Sequence, residues 1–261
     1  MAKIEPKMQD KLHHLMERGI RLPSMPATGA ELLSMLRRPP EQINLHKLAE
    51  SIENDPPLAA RLLRVSNSPM YGAKRGVTRV GQALVVLGLD ETLSALNYYL
   101  LRRMFDRFSD LPEFTADHFW KHALAIGSTA RMLGQPRYLV AAFPGELYTA
   151  GLLHDIGKIV LAMNMREEFA ECLKLAREEG IPLFEAERRT IGFDHAMLGG
   201  QMLDNWNLPA VILDAVACHH DPEEADPQHR ECAALVQYTH ALLAAAGDIP
   251  AGDPAPIGFS E

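Results

Sequence analysis

The apolar residues of this chain recur at helical spacing along almost its whole length, and this pattern limits the fold more than any other feature. In segment 31–38, for example, Leu32, Leu33 and Leu36 share one helix face. Runs that alternate apolar and polar residues, as half-buried strands do, are absent, and so are heptads and 20–50-residue repeats. The sequence therefore predicts an all-α fold.

Turn and cap residues divide this pattern into separate helices. Asn44, Asp55 and Asp90 are placed as helix N-caps, and two prolines follow Asp55 in the first turn. The glycines and proline of segment 69–79 predict a loop. Helices are predicted over 31–38, 45–54, 58–65, 82–87, 91–105, 114–133, 146–163, 165–179, 183–191, 194–205, 208–219 and 229–246.

A polar break at 109–112 is the best internal boundary. It separates an N-terminal lobe, 20–108, from a second lobe, 109–246, and residues 1–19 precede both as an extension. Residues 247–261 contain three prolines and few strongly apolar side chains, so we expect a flexible tail there.

Charge and cysteine content exclude several classes of protein. With 26 Lys and Arg against 34 Asp and Glu, the net charge is −8, which disfavours binding to nucleic acid or to anionic membranes. The small basic loop at Lys74, Arg75 and Arg79 is more typical of solvated surface than of a nucleic-acid site. Three cysteines without a CxxC pair do not form a disulfide scaffold. No apolar run reaches 18 residues and no signal peptide is recognisable, so we expect a cytoplasmic protein.

Histidine is the unusual component: 8 of the 11 histidines lie between His118 and His240. The sharpest local motif is GLLHDIGK at 151–158, in which His154 and Asp155 are adjacent. Side chains that are neighbours on a helix point about 100° apart, so both can still reach one groove and hold a metal there. An imidazole with a carboxylate suits Fe, Mn, Zn or Ni better than Mg. Lys158, one turn later, is placed to neutralise a phosphate oxygen.

Further donors come from other predicted helices, which is how helical proteins assemble metal sites. They are His118 and His122 at i, i+4, His195, His219, His220 and His240. Each has a structural alternative. His154 is equally consistent with a core histidine, the pair at 219–220 with a helix C-cap, and His118 with a ring that simply flanks Trp120. His229 lies in a polar stretch and is expected to be exposed.

The order of these histidines resembles that of the HD phosphohydrolase superfamily, and most closely its HD-GYP branch. Segments 22–26, 52–56, 63–68 and 83–88 also look like the HDOD domain, the HD-related output domain. In the second half Trp120 and segments 151–157, 206–209 and 219–222 follow in the order expected of that domain. The resemblance covers roughly residues 20 to 245.

This resemblance implies an all-α HDOD fold, with an N-terminal helical lobe packed on an HD-like helical lobe. It implies a bacterial signalling or regulatory module that acts through protein contacts. The metal ligands that it implies are His122, His154, Asp155, His195, His219 and His220. His118 stands where some HD-GYP proteins place a glutamate ligand for a further metal.

Two departures from the HD pattern bear on catalysis. His240 occupies the place in the last helix where an HD enzyme has a ligating aspartate, and the GYP segment is missing after His220. A neutral imidazole cannot bridge two ions as a carboxylate does. With Asp155 as the only carboxylate of the predicted site, we expect a single transition metal rather than a binuclear centre.

Two functions remain open at this point. One is a regulatory HDOD module with a signalling protein as partner and a vestigial metal site. The other is a metal-dependent phosphohydrolase acting on a nucleotide or a cyclic dinucleotide, with a metal-bound water as nucleophile and with Asp155 and Lys158 as catalytic residues.

Overall fold

Helices form nearly all the regular structure of the protein, as the sequence predicts. The computed structural model describes residues 29, 35, 42–71, 76–106, 110–135, 140, 142–248 and 251–253. In these ranges there are twelve α-helices and no strand, and Leu111 and Phe114 form one isolated bridge. The chain divides into two compact units, Met25–Asp106 and the combination of Met1–Ser24 with Arg107–Glu261. Apart from Met35, the predicted helix 31–38 lies outside the described residues.

Four described helices and one 3₁₀ turn belong to the smaller unit. They are α1 (Leu45–Glu53), α2 (Pro56–Ser66), the turn Pro69–Tyr71, α3 (Val80–Leu87) and α4 (Leu89–Met104). Asn44 and Asp55 cap α1 and α2, because their side chains accept backbone N–H groups of the first turns. The prediction that Asp90 is the N-cap of α4 is wrong. The helix was predicted to begin at residue 91, but it begins at Leu89, after Gly88, and Asp90 lies in its first turn.

The loop between α2 and α3 is anchored by one amide side chain. Asn67 donates to the carbonyl oxygen of Val77 at 2.8 Å and accepts the N–H of Val77 at 2.7 Å. These two bonds replace a backbone pairing across the loop and satisfy both polar groups of Val77. Lys74 and Arg75 of the basic loop lie outside the described residues, and Arg79 is the N-cap of α3.

Eight helices and one 3₁₀ turn form the described part of the larger unit. They are α5 (Ala116–Leu133), α6 (Pro144–Leu153), α7 (Ile156–Asn164), α8 (Arg166–Glu179), α9 (Leu183–Thr190), α10 (His195–Asn205), α11 (Ala210–Ala217), the turn Pro222–Glu224 and α12 (Arg230–Ala245).

The single helix predicted over 146–163 is in fact two, α6 and α7, with a break at His154 and Asp155. Asp155 has φ −99° and ψ 7°, and its carbonyl accepts the N–H of Lys158 at 2.9 Å in a tight turn. Apolar residues continue through the break, so hydrophobic periodicity does not reveal it. The break turns the side chains of His154 and Asp155 toward the same space.

Two glycines allow neighbouring helices to pack closely around this break. A Cβ atom on Gly127 of α5 would lie 2.7 Å from the carbonyl oxygen of Tyr148 in α6. A Cβ atom on Gly157 of α7 would overlap the carbonyl oxygen of His195 at the start of α10. These contacts between backbones bring α5 and α10 against the turn that carries His154 and Asp155.

The three cysteines are buried and free, in agreement with the prediction that the chain has no disulfide scaffold. Burial raises the pKa of each thiol, Cys172, Cys218 and Cys232, to about 12. Within the described residues no single helix is long and apolar enough to cross a membrane. Helices α3 and α4 pass that test only as a pair, which is bent by 115°.

We predict that Gly157→Ala destabilises the larger unit by about 2 kcal/mol or more, because overlap with backbone cannot be relieved by a rotamer change. Thermal unfolding followed by circular dichroism measures this effect. Gly81→Ala is the control, since a Cβ atom on Gly81 in α3 meets nothing within 4 Å. That change should be neutral or stabilising by up to about 1 kcal/mol. Equal melting temperatures for the two variants would contradict the close approach of α7 and α10.

Candidate metal centre

His154 is held in one tautomer by the backbone. Its Nδ1 lies 2.8 Å from the carbonyl oxygen of Gly151, which can only accept, so Nδ1 carries the proton. Nε2 is therefore the atom with the free lone pair. It is buried and has no hydrogen-bond partner. A neutral imidazole oriented in this way is what metal ligation requires.

The same arrangement recurs on other helices. His219 directs Nδ1 at the carbonyl oxygen of Val216 at 2.8 Å, and its buried Nε2 lacks a partner. His122 on α5 donates from Nδ1 to Asp248 at 3.1 Å and also leaves Nε2 buried without a partner. The Nε2 atom of His240 on α12 is buried and unpartnered too. Four imidazoles from four parts of the chain thus offer the same atom.

Asp155 is the carboxylate at the middle of this group. One oxygen, Oδ2, lies 2.8 Å from Nζ of Lys158 and 3.3 Å from Nε2 of His154. The other, Oδ1, lies 3.1 Å from Nε2 of His195 and 3.7 Å from Nε2 of His219. Burial acts to raise the pKa of Asp155, but His154 and Lys158 outweigh it and hold the pKa well below its usual range. Asp155 is therefore an ionised carboxylate.

The donor atoms form three overlapping groups in which all ligand atoms lie within 4.8 Å of one another. These groups are His122 with His154 and His240; His154 with Asp155 and His219; and His195 with His219 and His220. A tetrahedral ion with bonds of about 2.1 Å spaces its ligands by roughly 3.4 Å, so small inward movements bring a group to bonding distance. The residues present fit a transition-metal ion.

Four of the predicted ligand imidazoles are neutral at pH 7, as metal binding needs. Burial, assisted by the nearby His154, lowers the pKa of His122 to about 2 and that of His240 to about 4. Burial also holds the pKa values of His219 and His220 well below the usual range. None of these rings must lose a proton before it can bind a cation at neutral pH.

His195 is the exception, because Glu187 supports its charge. One oxygen of Glu187 accepts both Nδ1–H of His195 at 2.7 Å and its backbone N–H at 2.8 Å. Burial disfavours the charge on His195, but Glu187 overcomes this and raises the pKa of His195 to about 10. Nε2 of His195 is then a donor, 2.9 Å from Nε2 of His220. A metal bound at His195 would have to displace this proton.

Carboxylates other than Asp155 contact the predicted site residues, although among the described residues none of them belongs to a donor group. Glu187 bonds to His195, Asp248 to His122, and Asp253 to Lys158 at 2.8 Å. Asp248 and Asp253 belong to the segment 247–261 that was expected to be a flexible tail, of which residues 247–248 and 251–253 are described. Sequence reasoning missed all three because these contacts are tertiary, and no local pattern marks them.

Two other histidines lie apart from the centre. His118 is exposed on α5 and belongs to none of the three donor groups, so the structure does not place it with the predicted ligands. His229 was expected to be exposed, but it is half-buried and bonds to Asp214 at 2.6 Å. The other predicted site residues, including Lys158 and Asp155, converge on one buried region.

Comparison with known proteins agrees with this arrangement of helices and histidines. The family model of the HDOD domain matches residues 22–222. The chain belongs to the HDOD family. The resemblance noted in the sequence is thereby confirmed, together with the all-α HDOD fold.

Three solved structures of other proteins have the same fold. An HDOD domain protein of unknown function from Geobacter sulfurreducens is 24% identical, with a TM-score of 0.85 over 98% of this chain and 83% of that one. A candidate signal transduction protein from Marinobacter aquaeolei VT8 is also 24% identical, with a TM-score of 0.80 over 97% of this chain and 58% of that one. A candidate phosphohydrolase from Shewanella amazonensis SB2B is 21% identical, with a TM-score of 0.73 over 94% and 82%. At these identities the similarity shows the fold alone.

A curated relative is an uncharacterised protein from Treponema pallidum, strain Nichols. It is 22% identical over 225 residues. The match covers 85% of this HDOD chain but 42% of the relative, so the chain spans less than half the length of that protein.

We predict that His240→Asp tightens Zn²⁺ binding by about tenfold, because it adds a negative charge to a group of neutral imidazoles. Isothermal titration calorimetry of the full chain measures the affinity. Ala234→Asp is the matched control, since it adds the same charge at an exposed position of the same helix, α12. It should leave the affinity unchanged. Unaltered binding by His240→Asp, or equal gains in both variants, would show that position 240 is not a ligand position.

Proposed function

We propose that this HDOD protein is a signal-transduction module whose buried centre binds one transition-metal ion, and that it acts through contacts with a signalling protein. One observation carries the metal site: the Nε2 atoms of His122, His154, His219 and His240 are buried together without hydrogen-bond partners, next to the carboxylate of Asp155.

The energetic argument for a cation is direct. Each buried polar atom without a partner costs about 1–3 kcal/mol, and such atoms are normally satisfied. Here they lie in overlapping groups of three ligand atoms within 4.8 Å of one another, and a cation satisfies the acceptors of one such group at once. Imidazole ligands favour Zn, Ni or Fe, with Mn weaker and Mg disfavoured. Asp155 supplies the negative charge that a divalent ion needs beside neutral rings.

Burial favours a regulatory role over turnover. His154 and His219 are fully buried, and Lys158 is 1% exposed. The Lys158 ammonium lies 2.8 Å from Asp155 and 2.8 Å from Asp253, so both carboxylates compete with a substrate phosphate. An ion that binds at this centre stabilises the folded unit by mass action. Metal availability thereby controls the surface to which a protein partner binds. The name of the Marinobacter neighbour, a candidate signal transduction protein, is consistent with this role.

Phosphoester hydrolysis, on a nucleotide or a cyclic dinucleotide, is the second candidate. The observation that favours it is the position of Lys158 directly beside Asp155 and the donor groups, where an ammonium stabilises developing phosphate charge. A metal at the centre would supply an activated water. Two structural neighbours from Shewanella amazonensis are named as candidate phosphohydrolases, one of them metal-dependent.

We predict that Zn²⁺ at 100 times its dissociation constant raises the melting temperature of the protein by about 5 °C or more, since such binding contributes about 2.7 kcal/mol. The double variant His154→Ala/Asp155→Ala should show no rise, and Mg²⁺ should have no effect on either protein. Differential scanning calorimetry and elemental analysis measure the two quantities.

The matched control for this experiment is Asp214→Ala/His229→Ala, which removes a His–Asp pair outside the centre. It should lower the melting temperature without zinc and keep the zinc-dependent rise. Absence of bound metal from the wild-type protein grown with added metal, together with no zinc-dependent rise, would refute the metal site.

We predict that the metal-loaded protein hydrolyses phosphomonoesters, phosphodiesters and cyclic dinucleotides no faster than His154→Ala/Asp155→Ala. The reason is that Lys158 is already neutralised by two carboxylates. Phosphate release measured by malachite green, and chromatography for the dinucleotides, test this. A metal-dependent rate that the double variant loses would instead establish the hydrolase.

A further inference from the structure

One histidine of the donor groups is half-buried, whereas the other members are buried. This residue, His220, lies between α11 and the turn Pro222–Glu224. Among the other members of the three groups, the most exposed is His240, at 6%. His220 is therefore the donor that is most accessible to an ion from solvent.

An aromatic stack fixes the ring of His220. The Phe184 ring on α9 lies almost parallel to it, with the ring centroids 4.2 Å apart and the planes inclined by 23°. Such stacking stabilises an arrangement beyond the effect of the buried area. The guanidinium of Arg188 lies 5.0 Å from the centroid of the same phenyl ring, and its Nε donates to Asp194 at 2.6 Å. Since Asp194 offsets the charge of Arg188, this charge does not oppose the approach of a cation.

The surroundings of His220 also favour a cation. Asp221 and Glu224 follow it in the chain and are exposed, and carboxylates near a site raise the local concentration of cations. The side chain of Asp248, next to His122, is 34% exposed as well. However, Asp248 accepts from Nδ1 of His122, whose free Nε2 is buried. An ion on that side would meet the N–H of the ring rather than its lone pair.

The three donor groups lead inward from His220. They are the outer group (His195, His219 and His220), the middle group (His154, Asp155 and His219) and the inner group (His122, His154 and His240). His219 belongs to both the outer and the middle group, and His154 belongs to both the middle and the inner group. Because each group shares one ligand with the next, an ion can exchange ligands between groups without losing all of them.

The inner group has the most unsatisfied acceptor atoms. All three of its Nε2 atoms are buried without a hydrogen-bond partner. In the outer group only His219 has such an atom, because the Nε2 atoms of His195 and His220 lie 2.9 Å apart and form a hydrogen bond. An ion thus satisfies three buried atoms in the inner group but one in the outer group, so the inner group is the more favourable place for it.

We propose that His220 is the entry ligand of the metal centre, that Phe184 positions its ring, and that the ion rests in the inner group. This rests on the proposed function, because it presumes that the centre binds a metal. An entry ligand outside the final set changes the rates of uptake and release by the same factor. The dissociation constant, which is the ratio of these rates, then stays the same.

The test measures, by stopped flow with the full chain, the uptake of Zn²⁺ from a fluorescent zinc indicator and its release to EDTA. His220→Ala should slow both rates at least about tenfold and keep the dissociation constant within about twofold. Phe184→Leu should slow both rates at least about threefold, and Phe184→Tyr, which keeps the stack, should restore them.

Matched controls change the same residue types outside the centre. His229→Ala removes a half-buried histidine that bonds to Asp214, and Phe169→Leu removes a buried ring that packs against Phe114. Both variants should take up and release zinc at wild-type rates.

Two results would overturn the proposal although zinc binds. The first is a weaker affinity of His220→Ala with unchanged uptake, because His220 would then be a ligand of the resting ion. The second is slower uptake by His118→Ala, an exposed histidine one turn before His122, because entry would then lie on the side of Asp248.

A measurement on the metal-free wild-type protein tests the positioning role separately. In NMR spectra the stacked ring of Phe184 should shift the ring-proton resonances of His220 upfield. Absence of this shift would overturn the role of Phe184. A shift without any uptake of zinc by the wild-type protein would instead refute the metal centre of the proposed function, and with it the entry role of His220.

Discussion

The buried carboxylate of Asp155 is the interaction on which the larger unit depends. An ionised group without water is very unfavourable unless charges or hydrogen-bond donors surround it. Lys158 and His195 fulfil this need, from the first turn of α7 and from the start of α10. The turn between α6 and α7 places both side chains in the same space, with Nε2 of His154 3.3 Å from Oδ2 of Asp155. Gly157 then allows α10 to come close enough to complete the shell.

The imidazoles around this carboxylate are oriented by hydrogen-bond acceptors on their outer side. The Nδ1 atoms of His154 and His219 bond to backbone carbonyls, and that of His122 bonds to Asp248. Every one of these outer acceptors leaves an Nε2 lone pair pointing inward. These outer contacts select the tautomers. Burial keeps the imidazoles of His122 and His219 neutral. His195 has a raised pKa despite its burial, because its outer acceptor is a buried carboxylate, Glu187.

Local patterns in the sequence predicted the helices well, since apolar periodicity and the caps at Asn44 and Asp55 are properties of neighbouring residues. They failed at the break after Leu153, where the apolar pattern continues although the helix does not. The order of the histidines indicated which rings would converge, through resemblance to the HD families. It could not reveal Asp248, which is 126 residues from its partner His122, or Asp253, which is 95 residues from Lys158. Such pairs arise from packing, and no local signal encodes them.

The carboxylates around the centre lie mostly outside its donor groups. One carboxylate, Asp155, remains among the inner donors, while Glu187, Asp248 and Asp253 act from outside on His195, His122 and Lys158. Outer carboxylates orient rings and offset the charge of an ion, but they cannot bridge two ions or hold a shared hydroxide. A centre with this distribution suits one tightly held metal better than a binuclear hydrolytic pair.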